Sequence, residues 1–202
     1  MKSLHTPELF SWAVFDTARN VDFNGHLWLG PSGAIAFDPM PLSEHDVAHI
    51  DALGGVSEVL LTNADHVRAA AFVQQRWGAT LSAPAAERDL PELTALTIHR
   101  WLAPGDVLPS GIRCVAMEGS KTPGELAFLL PGGVLITGDL IRGQRAGALN
   151  LLPDPKLKDK AAALRSVGAA ADLPITAVLV GDGQSVFRDG TARLRELLEA
   201  TT

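Results

Sequence analysis

The segment that most constrains the fold spans residues 56–78, where a short apolar run ends in a polar cluster and passes directly into a helical pattern. Aliphatic and β-branched residues over 56–61 follow a Gly-Gly pair, which predicts a buried strand. Apolar positions then recur at the 3.6-residue interval, which predicts a helix over residues 65–78. Because α/β folds carry functional groups where strands pass into helices, we expect functional side chains in the intervening cluster, residues 62–66.

Helix capping is the alternative interpretation of this cluster. Asn63 and Asp65 are both favourable N-cap residues, and His66 can lie half-buried on the inner face of the helix. Three further polar clusters later in the chain, each at the end of an apolar strand pattern, favour the functional interpretation.

Length and charge limit the class of protein. The 202 residues, 47% of them hydrophobic, can bury a sizeable core, and we predict one domain over residues 1–202. A formal net charge of −6 argues against a nucleic-acid partner, which needs a concentrated basic face. A single cysteine, Cys114, is typical of a reducing compartment, and no stretch approaches the roughly 20 apolar residues of a membrane helix. We therefore expect a cytoplasmic protein without a membrane partner.

The remaining patterns predict the same order of elements twice. Alternating apolar residues predict antiparallel strands over residues 11–15, 26–29 and 34–37, with a turn at Asn24-Gly25. Later strands are predicted at 80–84, 126–130, 134–137 and 175–180, and further helices at 43–53, 156–171 and 191–200. The segment 142–155 stays unclassified. These elements predict an α/β fold with two β-rich layers and helices on both outer faces, an αββα sandwich.

Four polar clusters end apolar strands: Asn63-Ala64-Asp65-His66, Gly119-Ser120-Lys121-Thr122-Pro123-Gly124, Thr137-Gly138-Asp139 and Gly181-Asp182-Gly183. This pattern resembles the metallo-β-lactamase superfamily. Its members carry a Thr-His-x-His-x-Asp-His loop, a Pro-Gly-His-Thr-Pro-Gly loop, a Thr-Gly-Asp strand end and a Gly-His-Gly strand end. The resemblance covers essentially the whole chain, including a strand that ends in Asp38-Pro39. It implies a metallo-β-lactamase-like fold.

Two registers of the first loop are open. In one, Asp65-His66 matches the Asp-His pair of the family, and Asn63 precedes a deletion that removes the two earlier histidines. In the other, Asn63 and Asp65 match those histidines, and Val67 and Arg68 match the later pair. We prefer the first register because it keeps the following helix in phase.

The preferred register implies a reduced set of metal ligands. Lys121 takes the position of the histidine in the second loop, Asp139 matches the bridging aspartate, and Asp182 replaces the last histidine. One site has thus lost its histidines, while Asp65, His66, Asp139 and Asp182 remain for the other. The resemblance implies one divalent ion of zinc, manganese or iron, or none if the cluster is only structural.

Lys121 has two interpretations. By resemblance, an ammonium at this position stabilises a developing oxyanion, with Asp65 and Asp139 as the other catalytic residues. Alternatively, Lys121 forms a salt bridge with Asp139 and Asp182 in a metal-free cluster, since buried carboxylates need compensating charge.

The polar residues beside these positions are candidate substrate contacts: Asn63, Ser120, Arg142 and Arg145. The arginines can bind an anionic group, with solvation at the surface as the alternative. The resemblance implies hydrolysis of a small-molecule ester, thioester, lactone or phosphoester. The alternative is a degenerate member that binds a small anionic ligand without hydrolysing it. Self-association into a homo-oligomer is left open.

Overall fold

The computed structural model describes residues 1–201. The chain divides into two compact units, Met1–Leu102 (unit 1) and a second that begins at Ala103 (unit 2). Within residues 1–201, every helix is too short or too polar to cross a membrane.

Unit 1 contains one seven-stranded sheet whose strands lie side by side in chain order. The strands are β1 (Lys2–Ser3), β2 (Leu9–Asp16), β3 (Val21–Gly30), β4 (Gly33–Phe37), β5 (Glu58–Leu60), β6 (Thr80–Pro84) and β7 (Arg100–Leu102). The first four pair antiparallel, which confirms the antiparallel prediction for β2 to β4 and adds β1, and β4 to β7 pair parallel. The direction changes after β4 because parallel neighbours need long crossover connections, and here these contain helices.

Three helices of unit 1 lie in those crossovers: α1 (Glu44–Ala52), α2 (Ala70–Trp77) and α3 (Pro91–Thr94). Helix α1 begins where predicted, because Ser43 and Asp46 form a reciprocal capping box. Fully buried aliphatic side chains from the strands and the helices form one core, among them Leu27, Val59 and Leu81.

Unit 2 contains two smaller sheets and two long helices. Its elements are β8 (Arg113–Ala116), β9 (Leu126–Leu129), β10 (Val134–Thr137), β11 (Ile141–Arg145), β12 (Ala148–Leu151), α4 (Lys160–Ala171), β13 (Ala177–Val180) and α5 (Gly190–Thr201). The four-stranded sheet has the order β13-β10-β9-β8, and β11 and β12 form a hairpin. Strand β13 pairs parallel to β10, since α4 lies in the connection between them.

The predicted turn at Asn24-Gly25 is wrong. Both residues lie inside β3, opposite Ala13 and Trp12 of β2, and the hairpin instead turns after Asp16. A Cβ atom on Gly25 would lie 2.7 Å from the Trp12 ring, so glycine is needed here for close packing. Pairing along the whole length of β2 and β3 outweighs the local turn preference of Asn-Gly.

Two predicted helices begin later than the sequence pattern indicates. Residues 64–66 form only a short 3₁₀ turn, and α2 starts at Ala70, after Arg68 adopts a φ of 33° that interrupts the helix. Helix α4 starts at Lys160 because the Asp159 side chain caps it by accepting from the Ala162 amide. Lys156 and Lys158, which precede Asp159, therefore lie outside the helix.

The segment left unclassified forms the β11–β12 hairpin and a 3₁₀ turn, Asp154–Lys156. Cys114 is a buried core residue of β8. Each unit combines sheet and helix, which agrees with the predicted α/β class.

Candidate functional site

Asp38, Thr62 and His66 form a buried hydrogen-bonded group at the carboxyl ends of β4 and β5 in unit 1. The Nδ1 atom of His66 lies 2.7 Å from Asp38 Oδ2, and the Thr62 hydroxyl donates to the same oxygen at 2.6 Å. The Thr62 amide donates to Asp38 Oδ1 at 2.8 Å. These strands are parallel neighbours, so their ends bring residues 38 and 62–66 together.

The orientation of the His66 ring follows from this group. A carboxylate beside Nδ1 favours the tautomer with the proton on Nδ1, which leaves the in-plane lone pair of the ring on Nε2. Metal-binding histidines commonly have such a carboxylate partner. Asp38 itself has a φ of 44°, which is uncommon for a residue other than glycine and frequent near functional sites.

The rest of the first loop is held by capping contacts. The buried Asn63 accepts a hydrogen bond from the Asp65 amide at 2.9 Å, so it is an N-cap, as its alternative interpretation predicts. The Ala64 amide donates to the fully buried carboxylate of Glu87. The carboxylate of Asp65 is exposed, whereas His66 is buried. The loop thus directs its two predicted ligands into different environments.

In unit 2, Lys121 forms an ion pair with the buried Asp139. The Nζ atom lies 2.9 Å from Asp139 Oδ2, and the Lys121 side chain is 30% exposed. Asp139 follows β10, and Lys121 belongs to the loop before β9, the strand that pairs with β10. The salt bridge between Lys121 and Asp139, which was the alternative interpretation of Lys121, is therefore confirmed.

A second ion pair in unit 2 joins Arg142 to Asp182, and both side chains are buried. Strand β11, which contains Arg142, is held to the loop after β13 through backbone contacts. The Gly143 amide donates to the Asp182 carbonyl at 3.0 Å, and the backbone amide of Gln184 donates to the Gly143 carbonyl at 2.6 Å. Arg142 is therefore not solvated at the surface, which was its alternative interpretation, whereas Arg145 is exposed. The ion pair between Arg142 and Asp182 was not predicted from the sequence.

Ser120 has a structural contact. Its hydroxyl donates to the buried carboxylate of Glu125, whose other oxygen accepts from the Leu140 amide at 2.9 Å. This connects the Lys121 loop to the segment that follows Asp139. Glu125 was not predicted from the sequence, although an acidic residue at the start of an apolar strand was a usable signal.

The role of Asp38 was not predicted from the sequence either. The strand that ends in Asp38-Pro39 was noted for its resemblance to the family, but the contact with His66 spans 28 residues. No periodicity reports such a contact.

The donor groups of each unit agree in kind with a divalent metal. Unit 1 offers an imidazole oriented by a carboxylate, and unit 2 offers two buried carboxylates, Asp139 and Asp182. Nitrogen and oxygen donors of this type suit zinc, manganese or iron, so the donors of each unit fit a divalent ion in kind. Both carboxylates of unit 2 already have a cationic neighbour.

A family model described as the metallo-beta-lactamase superfamily matches residues 1–201. No curated protein matches the sequence. Among solved structures, a metallo-beta-lactamase from Pontibacter korlensis is 15% identical, with a TM-score of 0.72 and coverage of 96% of each chain. The DIM-1 metallo-beta-lactamase is 17% identical, with a TM-score of 0.74 and coverage of 99% of this chain and 97% of its own.

A protein designated TTHA1623, solved in a di-iron-bound form, is also similar. It is 23% identical, with a TM-score of 0.69 and coverage of 91% of this chain and 98% of its own. At such identities these likenesses concern the fold, and they confirm the predicted fold class.

Proposed function

Because the chain belongs to the metallo-β-lactamase superfamily, we propose that it is a metal-dependent hydrolase that uses a single ion. Members of this superfamily typically bind divalent metal. The observation that carries the proposal is the buried Asp38–His66 pair, in which a carboxylate orients the imidazole as metal-binding histidines require. The proposed substrate is a small ester, thioester, lactone or phosphoester.

The proposed ligands are His66, through Nε2, together with Asp139 and Asp182. Asp65 completes the set, but its carboxylate is exposed, so we expect it to contribute less to affinity than the buried groups. Iron is a candidate beside zinc and manganese, since the similar TTHA1623 was solved with iron.

When bound, the ion would supply Lewis-acid activation of a water molecule and of the scissile group. The chain's own residues would do the rest. Asp38 holds the His66 ring in one tautomer, and Asp65 accepts a hydrogen bond from the attacking water. The ammonium of Lys121 donates to the oxyanion that develops in the transition state.

The four predicted substrate contacts differ in their surroundings. Asn63, Ser120 and Arg142 are buried and each binds a neighbouring group of the chain. Arg145 is exposed. We therefore propose Arg145 as the contact for an anionic part of the substrate and assign a positioning role to the other three.

The two ion pairs of unit 2 favour a second candidate function. Lys121 and Arg142 already supply the positive charge that buried carboxylates need, without any ion. On this alternative, the protein is a degenerate member of its superfamily that binds a small anionic ligand and hydrolyses nothing.

A hydrolase screen tests the proposal. The wild type, loaded separately with Zn²⁺, Mn²⁺ or Fe²⁺, would be assayed on ester, thioester, lactone and phosphodiester substrates beside Asp139→Ala. The matched control is Asp172→Ala, which removes an exposed carboxylate at the end of α4. We expect activity in the wild type and the control but not in Asp139→Ala. Inactivity of the wild type with every metal would favour the degenerate alternative.

A further inference from the structure

Lys121 and the proposed metal ion need the same carboxylate. The ammonium of Lys121 lies 2.9 Å from Asp139 Oδ2, which is hydrogen-bonding distance. A divalent ion bound to Asp139 would place a second, larger positive charge beside that ammonium. Repulsion between the two charges is strong at a buried carboxylate because little water screens it.

The two ion pairs of unit 2 differ in how readily they can open. The Lys121 side chain is 30% exposed, and its flexible four-carbon chain can move the ammonium into solvent. The Arg142 side chain is only 8% exposed, and its strand, β11, is fixed to the Asp182 loop by backbone hydrogen bonds. Lys121 is therefore the exchangeable cation, whereas Arg142 is a fixed partner of Asp182.

We infer that Lys121 competes with the metal ion for Asp139, so that metal binding is an exchange of one cation for another. This inference rests on the proposed function, because it requires that Asp139 binds an ion. This exchange also explains how Lys121 can have two roles, one after the other. The ammonium neutralises Asp139 before the ion binds, and once released it can donate to a substrate oxyanion.

The test measures metal affinity directly, by titration calorimetry with Zn²⁺ and Mn²⁺ in the absence of substrate. Lys121→Met keeps the length of the side chain but removes its charge. We expect it to bind either ion more tightly than the wild type, by on the order of tenfold to a hundredfold. Lys121→Arg keeps the charge, so it should gain no affinity.

Lys156→Met is the matched control. It removes the same charge from an exposed position in unit 2, in the 3₁₀ turn before α4, and should change affinity less than about twofold. A thermal melt gives a second readout that does not depend on activity. Added Zn²⁺ should raise the Tm of Lys121→Met more than that of the wild type, because tighter binding stabilises the folded state more.

The outcomes separate the inference from the function on which it rests. If the wild type binds metal and Lys121→Met binds it equally or less tightly, the exchange is refuted while the metal site remains. If none of the proteins binds Zn²⁺ or Mn²⁺, the metal site and the exchange are both refuted. If Lys156→Met tightens binding as much as Lys121→Met, general electrostatics explains the effect and the exchange is refuted.

Discussion

Asp38 is the residue on which the proposed imidazole ligand depends most. It accepts hydrogen bonds from the Thr62 hydroxyl and the Thr62 amide, and it contacts the His66 ring, within a group that is almost fully buried. Removing its charge leaves the ring in place but weakens the preference for one tautomer. Removing the charge of Asp38 should therefore weaken metal binding through the altered tautomer preference of His66, because Asp38 itself is not a proposed ligand.

Asp38→Asn tests this role. We expect metal affinity to fall on the order of tenfold to a hundredfold, which is typical of losing the partner of a metal-binding histidine. Asp22→Asn, an exposed position in β3, serves as the control and should bind metal as the wild type does. Calorimetric titration with Zn²⁺ measures both, and unchanged affinity in Asp38→Asn would remove the support that His66 gives to the proposal.

Lys121→Ala separates the two candidate functions. If Lys121 stabilises an oxyanion, turnover of the metal-loaded enzyme should fall on the order of a hundredfold. If the cluster is only structural, there is no activity to lose, and the buried Asp139 left without its partner lowers the free energy of unfolding by about 3 kcal/mol. Steady-state kinetics and urea unfolding of the same preparation distinguish these results.

At the scale of elements, two glycines of unit 2 allow β11, which contains Arg142, to lie close to the loop after β13, which contains Asp182. A Cβ atom on Gly143 would lie 1.9 Å from the Gln184 carbonyl oxygen, and one on Gly183 would lie 2.2 Å from the Gly143 carbonyl oxygen. No side chain fits between these backbones, so β11 and the loop after β13 can approach only with glycine at both positions. This approach aligns Arg142 with Asp182.

Gly143→Ala should lower the free energy of unfolding by about 1–3 kcal/mol or more, because the added methyl group forces β11 and the loop after β13 apart. Gly168→Ala is the control, since a Cβ atom there meets nothing within 4 Å and the residue lies inside α4. It should be neutral or stabilise the protein by up to about 1 kcal/mol. Equal urea midpoints for Gly143→Ala and the wild type would contradict the close-approach argument.

Elements with strong local patterns could be predicted from the sequence, and elements that depend on distant partners could not. Apolar runs between turn residues identified β2, β4, β6, β9 and β10, and a capping residue identified α1. The Asn24-Gly25 turn was wrong because strand pairing overrides a local preference, and the β11–β12 hairpin lacks the apolar alternation that marks a strand.

The same division applies to the candidate site. The strand-end clusters identified Lys121 and Asp139, which do form an ion pair. Three contacts were not predicted: Asp38 with His66, Glu125 with Ser120, and Arg142 with Asp182. Each depends on how the folded backbone places two side chains against each other. Hydrogen bonds of this kind follow from the folded arrangement and leave no periodic signal in the chain.

At the scale of the whole molecule, the family match extends over residues 1–201 and so includes both compact units. The prediction of one domain over residues 1–202, the cytoplasmic location and the oligomeric state stay predictions. The sequence of the whole chain determines which types of metal ligand are present. Of the four proposed metal ligands only one is an imidazole, and the carboxylates Asp139 and Asp182 are already paired with cations.

The number of metal ions per chain tests the single-ion hydrolase most directly. Purified protein would be incubated with excess Zn²⁺, Mn²⁺ or Fe²⁺, freed of unbound metal, and analysed for metal and protein together. The account predicts one ion per chain in the wild type and none in Asp139→Ala, since the ligand set supports a single site. Two ions per chain would contradict the reduced ligand set, and no bound ion with any of the three metals would contradict the metal-dependent function.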